Sequence, residues 1–343
     1  MNQTNAPVLN QLNSKARYQR ALLFLFITLV LVFLLSLLIG RYPNPPMMTP
    51  KQLLQDDLAQ RVVFNLRLPR VITALLLGMA LSAAGMVFQM IFTNPLVEPG
   101  FLGVSQGAAF GAALGIVLLG SSAVVIQFSA AFFAFTGLFA SYILARRMKF
   151  GGWVLRLILS GIAISALFSA GVGVLKFVAD PLTQLQEITF WLLGGLWAIT
   201  WEKLFSILAI VLIGLFILFQ MRWRLNLLSL DDQVSFSLGV LPSRERLLVL
   251  VAAVAITSAV ISVSGMVSWI GLIIPHLSRR IFGANARYAL PGAMLLGGIF
   301  TILSDDVART LLTGEIPLGI LTSFIGALFF IFLMISNPLK VKA

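Results

Sequence analysis

Few side chains in this 343-residue sequence could do chemistry, and their spacing limits what it could be. Asp305 and Asp306 precede Arg309 by four and three residues in an apolar stretch, so a helix would place all three on one face. Ionisable groups inside an apolar span mark a pathway or a structural ion pair. Both readings stand for this trio, as a functional group or as a helix-end pair near the outer surface. The single histidine, His276 of Ile-Pro-His, has no second His or Cys within helical reach. A metal site would lack ligands there, and a structural hydrogen bond is the expected role. There is no cysteine, which removes thiolate metal sites, iron–sulfur clusters and cysteine nucleophiles. No Gly-x-x-x-x-Gly-Lys-Ser/Thr loop occurs and no nucleophile–base pair stands out, so the chain is not expected to be an enzyme.

The elements that position these residues must be membrane helices. Hydrophobic residues make up 59% of the chain and charged ones 10%, with mean hydropathy +1.00, which excludes a water-soluble globular domain. One span uses about 20 residues, so the length holds about ten spans and no sizeable soluble domain. The chain reads as a single transmembrane domain over 1–343, with a polar segment at 1–20 and a first apolar run at 21–39. No small-x-small cleavage site follows that run, so it is expected to stay uncleaved. Further apolar segments run at 71–91, 102–119, 123–145, 153–178, 190–219, 247–263, 269–282, 288–312 and 317–336. An interfacial helix is expected within 179–200. Pro275 makes the short eighth segment an irregular or tilted helix that protein neighbours must shield.

Charge tests this topology independently. Sixteen of the 24 basic residues fall on one side, with only Glu98, Asp231, Asp232 and Glu245 as acids there, so the whole formal charge of +12 lies on that side. By the positive-inside rule it is cytoplasmic, and both termini with it. The basic balance therefore reads as membrane orientation, not as a nucleic-acid footprint.

Gly103, Gly107, Gly111 and Gly115 recur every fourth residue and form a smooth helix face for close packing; Gly161, Ser165, Ser169 and Gly173 repeat the device. Trp191, Trp197 and Trp201 read as interfacial anchors. The longest cytoplasmic connection, 220–246, is polar and is expected to form two short helices broken at Gly239 and Pro242.

Four motifs, in order and over nearly the full chain, carry a resemblance. They are Leu66-Arg67-Leu68-Pro69-Arg70, then Asn94-Pro95-Leu96-Val97-Glu98-Pro99-Gly100-Phe101-Leu102-Gly103-Val104-Ser105-Gln106-Gly107, then Gly271-Leu272-Ile273-Ile274-Pro275-His276, and Glu315-Ile316-Pro317-Leu318-Gly319-Ile320. With about ten spans, they resemble the permease subunits of the iron-siderophore, haem and vitamin B12 class of ABC importers. The resemblance implies a vitamin B12 permease-like bundle in a prokaryotic cell membrane, forming a homodimer over two cytoplasmic ATPase subunits. A soluble substrate-binding protein would dock outside. No cofactor would sit on this chain, with ATP and Mg held by the ATPase.

The same resemblance assigns roles to residues. Leu238, Gly239, Val240, Leu241 and Pro242 would couple to the ATPase, although Asp232-Gln233-Val234 replaces the alanine-rich pattern of ABC permeases upstream. Arg67 and Arg309 would dock the binding protein. Asn94, Leu96, Val154 and Leu155 would form the cytoplasmic gate. The implied cargo is an iron-siderophore complex, with haem, cobalamin or a molybdate-type oxyanion as alternatives. An ion-coupled secondary transporter is the rival class, and it should show paired carboxylates or broken helices at mid-membrane.

Overall fold

The computed structural model describes residues 6–42, 47–120 and 122–336, which are all-α apart from one isolated bridge between Ile39 and Met47. In chain order the helices are α1 (Ala6–Leu38), α2 (Pro50–Gln55), α3 (Asp57–Arg61), α4 (Leu68–Ile91), α5 (Val104–Leu118), α6 (Ala123–Arg147), α7 (Trp153–Val178), α8 (Gln184–Leu193), α9 (Trp201–Met221), α10 (Arg224–Leu228), α11 (Asp232–Ser237), α12 (Pro242–Ser264), α13 (Ile270–Phe282), α14 (Ala286–Thr310) and α15 (Leu318–Ser336). Among the described residues, seven stretches are long and apolar enough to cross a membrane: Lys15–Leu38, Asp57–Ile91, α6, α7, α9, α12 and α14. The shorter apolar helices are α5 and Leu318–Phe332, and the 13-residue α13 occupies the expected eighth segment. Lys340 and Lys342, two of the sixteen basic residues expected on the cytoplasmic side, lie outside the described residues.

Two boundaries differ from the sequence reading. The polar N-terminal segment is helical from Ala6, continuous with the first span. The apolar run 190–219 is not one helix, because α8 ends at Gly194, in the left-handed region at φ +67, and α9 restarts at Trp201 behind a Thr200 cap.

The axis of the bundle is α4, nearly all of whose membrane window is buried. Gly78, Ser82 and Gly85 make this possible. A Cβ on Gly78 would strike the Gly297 carbonyl of α14, and one on Gly85 would strike the Gly271 carbonyl of α13. Without a hydrophobic drive between helices in lipid, such backbone-to-backbone approach supplies the packing. The glycine stripe of α5 works the same way against α6: Gly107 faces the Phe133 carbonyl, Gly111 the Ser129 carbonyl, and a Cβ on Gly115 would stand 3.1 Å from Ile126 Cα. Gly103 stands apart as the left-handed N-cap of α5 (φ +78).

Pro275 sits inside α13 and cannot donate to the carbonyl of Gly271, four residues back. Gln89 of α4 replaces the missing donor, its Nε2 reaching the carbonyls of Gly271 at 3.3 Å and Leu272 at 3.1 Å. The Gln89 Oε1 in turn accepts from Arg279. This is how a proline-bearing helix is tolerated at membrane depth.

Candidate functional site

The connection from α4 to α5 does not stay in a cytoplasmic loop. Thr93 turns the chain at φ +46, and the Asn94 side-chain oxygen accepts from Leu96 N–H at 2.9 Å, closing an Asx turn. The chain then re-enters the bundle as a 3-10 turn at Pro99–Leu102. Gly161 of α7 makes room for the Phe101 carbonyl, and Ser141 of α6 donates to the Leu102 carbonyl at 3.0 Å.

Glu98, counted above among the cytoplasmic acids, is carried inward with this segment. It shares a small cavity with Leu81 halfway along α4, Thr257 of α12, Ser105 and Gly271. Its carboxylate lies near the backbone N–H of Trp269, the left-handed residue (φ +74) that opens α13. Two breaks in helical structure therefore meet inside the bundle, tied by a carboxylate at a helix N-terminus, where the helix dipole favours negative charge. Broken helices, which the sequence reading named as a mark of an ion-coupled rival, thus occur in this bundle as well.

Around the expected gate, Leu96 and Leu155 are exposed, Val154 is half-buried against the core, and Asn94 is spent on the turn. Phe92 at the end of α4 stacks on Trp153 at the start of α7, centroids 6.2 Å apart, and so joins the two gate segments.

At the cytoplasmic end, α10, α11 and the start of α12 form the expected broken connection. Gly239 takes φ +80 with no atom within 4 Å of where a Cβ would stand, and Pro242 opens α12. Leu238 and Leu241 are exposed at 57% and 48%, but Val240 is buried at 3%. Val240 anchors the turn from inside and cannot be a surface contact. Val234 and Phe236 are exposed instead, which the sequence reading missed; their alternation with buried Ser235 was its only available signal.

At the outer end the arginines expected to dock a partner point inward. Arg67 and Arg309 are only 6% and 7% exposed. Arg67 donates to the carbonyls of Leu37 (3.0 Å), Leu38 (3.1 Å) and Tyr42 (3.0 Å), capping the carboxy-terminal end of α1, where a cation also meets the negative end of the helix dipole. Gly40 leaves the space its guanidinium fills. Arg309 pairs with Asp306 and donates to the Ser36 carbonyl at 2.6 Å, and Ser36 Oγ donates to Asp306 at 2.6 Å.

Asp305 belongs mainly to Arg70 across the α4–α14 contact, at 2.8 Å, with Arg309 Nε at 3.8 Å. Arg70 also grips Glu315 at 2.9 Å. The trio read from sequence is thus part of a wider cluster that adds Arg70, Glu315 and Ser36. Arg70 and Glu315 stood in the quoted motifs, but nothing in their spacing joined them to α14.

The His276 ring makes no hydrogen bond among the described residues, contrary to expectation; the residue itself is part of α13. Trp201 is held by protein as well as interface, its indole donating to the Phe64 carbonyl at 3.1 Å. That carbonyl lies in a π turn, Val62–Arg67, just ahead of Pro69, where the chain widens because the proline has no N–H to return.

Residues 28–336 match the FecCD transport family. A probable iron chelatin transport system permease protein of Helicobacter pylori is 42% identical over 80% of this chain and 82% of its own length. The molybdate import system permease protein MolB of Haemophilus influenzae is 40% identical over 90% of this chain and 94% of its own. Among solved structures, a metal-chelate type ABC transporter in an inward-facing conformation superposes with a TM-score of 0.86 at 39% identity, covering 93% of this chain and all of that one.

Proposed function

The chain belongs to the FecCD transport family as a multi-pass membrane permease of an ABC importer, and we propose that it carries iron-siderophore complexes as one half of a homodimer. Two cytoplasmic ATPase subunits drive it, and they hold the ATP and Mg. A substrate-binding protein delivers cargo to the outer face.

The observation that carries this reading is the cytoplasmic tip formed by Phe236, Leu238 and Leu241, 65%, 57% and 48% exposed on the most basic side of the molecule. A solvated connection gains nothing from large apolar residues at its apex, whereas a groove on a partner would bury them. Gly239 lets that apex turn without a side chain in the way. Asn94, Leu96, Val154 and Leu155 close the inner end of the path in this reading. The path itself runs along α7, whose exposed face carries Ala163, Ala166, Ser169, Ala170 and Gly173. Ile162, Leu167, Val174 and Phe177 are exposed on the same helix, so the wall is neutral and largely apolar, which suits a bulky chelate that passes without tight binding.

Docking outside is then a property of the rim that Arg67 and Arg309 hold in shape, and these two act as positioning residues. The second reading is a molybdate-type oxyanion, favoured by the likeness to the molybdate permease over nearly its whole length. ATP-dependent uptake in proteoliposomes holding the chain with its ATPase and binding protein decides between them. Ferric siderophore uptake that exceeds molybdate, haem and cobalamin uptake is the expected result. Molybdate uptake alone replaces the cargo, and transport driven by an ion gradient without ATPase overturns the mechanism.

A further inference from the structure

At the cytoplasmic base a cavity of about 310 Å³ lies between the end of α6, the start of α7, α11 and the start of α12. Arg146, Arg156 and Arg246 line it together with Tyr142 and Ser243, and the sole acid on its wall is Asp232. That acid is already paired with Arg246 at 2.5 Å, and its side chain is 67% exposed. Three guanidinium groups thus face one space with a single carboxylate at its edge.

Their remaining donors make the case more specific. Arg156 gives Nη1 to the Met148 carbonyl at 2.9 Å, and Arg246 gives Nη2 to the Leu228 carbonyl at 3.0 Å. The Nε groups of Arg156 and Arg246 are both buried with no hydrogen-bond partner. A buried donor left unmade costs free energy, and both of these belong to side chains that line the cavity. Arg146 is held against the Tyr142 ring, 5.8 Å from its centroid, which fixes its direction but takes up no N–H. Ser243 lies in the first turn of α12, whose N-terminus has no side-chain cap, so the helix dipole adds positive potential at the same wall.

We propose that this cavity is a phosphate-binding site, filled by the headgroup phosphate of an anionic phospholipid of the inner leaflet or by free phosphate. Guanidinium forks match phosphate oxygens bidentately, and basic pockets between helices at the cytoplasmic surface meet the negative potential of that leaflet. The site also touches the coupling connection. Arg246 holds both Asp232 of α11 and the end of α10, and Trp153 and Arg156 flank the gate residues Val154 and Leu155. A phosphate that shares Arg246 therefore sets how firmly α11 is seated.

The test compares the full chain with the R146Q, R146Q/R156Q and R147Q variants. Arg147 is exposed at the end of α6 and does not line the cavity, so R147Q loses the same charge beside the site. Each protein is reconstituted in equimolar phosphatidylglycerol and phosphatidylcholine, and retained phosphatidylglycerol is read by native mass spectrometry. The wild-type chain and R147Q should retain it equally, and R146Q/R156Q should retain roughly tenfold less. In phosphatidylcholine alone, the melting temperature is followed as inorganic phosphate is added. Phosphate stabilisation lost in R146Q, with no selective lipid retention, would assign the site to free phosphate and still support it. Equal behaviour of R146Q and R147Q toward both probes would overturn the proposal. Because Arg146 is itself exposed, R146Q gives a folded comparison even if the double variant does not fold.

Discussion

The two ends of this molecule are both rich in arginine and use it in opposite ways. At the outer end Arg67, Arg70 and Arg309 are buried and their charges are matched by Asp305, Asp306, Glu315 and the carbonyls at the end of α1, although Arg309 Nε makes no hydrogen bond. At the cytoplasmic end Arg146, Arg156 and Arg246 outnumber their one acid and keep donors free beside an exposed apolar tip. An arginine whose forks are filled from its own chain is a brace for helix ends. One whose forks are open is a place for something else to bind. Burial alone does not separate the two, but the count of acceptors does.

Asp305 and Asp232 give the sharpest contrast. Asp305→Ala leaves the Arg70 charge half-matched in a buried site and should cost about 3–5 kcal/mol, seen as loss of the monodisperse peak on size exclusion. Asp232→Ala removes an exposed partner and should cost about 1 kcal/mol or less. Similar losses for both would erase the distinction between the ends. Next in size is Gln89→Leu, which strips the donor from the Gly271 carbonyl beneath Pro275. It should lower stability by about 1–3 kcal/mol, measured by thermal unfolding in detergent.

Leu238→Asp should change stability by no more than about 0.5 kcal/mol, since the residue touches little, yet abolish copurification of the ATPase. Retained ATPase with that substitution would remove the tip from the coupling role. The smallest effect is at the outer loop, where Tyr42 O–H donates to Asp56 at 2.7 Å and holds that carboxyl below its usual range. A lowered folded pKa stabilises above the ordinary carboxylate value, and the contribution fades as pH falls through the lowered one. Tyr42→Phe should therefore be slightly less stable near neutrality and match the wild type in acid, read from melting temperature against pH.

Much of the architecture was legible because membrane physics acts locally. Apolar run length marks spans, basic residues mark the cytoplasmic side, and Gly239 with Pro242 punctuates the 220–246 connection whatever surrounds it. The four-residue glycine stripe of α5 was visible for the same reason. The equally tight Gly78–Gly297 contact was not, since its partners lie 219 residues apart and neither repeats at a regular interval.

The candidate sites divide along the same line. Sequence placed Arg67 and Arg309 near the outer surface, and the motif resemblance supplied a docking role, but whether a guanidinium faces water or a helix end depends on where α1 terminates. Glu98 likewise looked like a loop acid, because no local pattern reveals that the segment after Asn94 folds back to meet Trp269. By itself, then, the sequence determined the class of molecule, its orientation and the turns of its chain, all set by hydropathy, charge sign and backbone freedom within a few residues. Only the tertiary structure decided which charges are spent and which are open, because that depends on acceptors brought from distant segments into the same low-dielectric space.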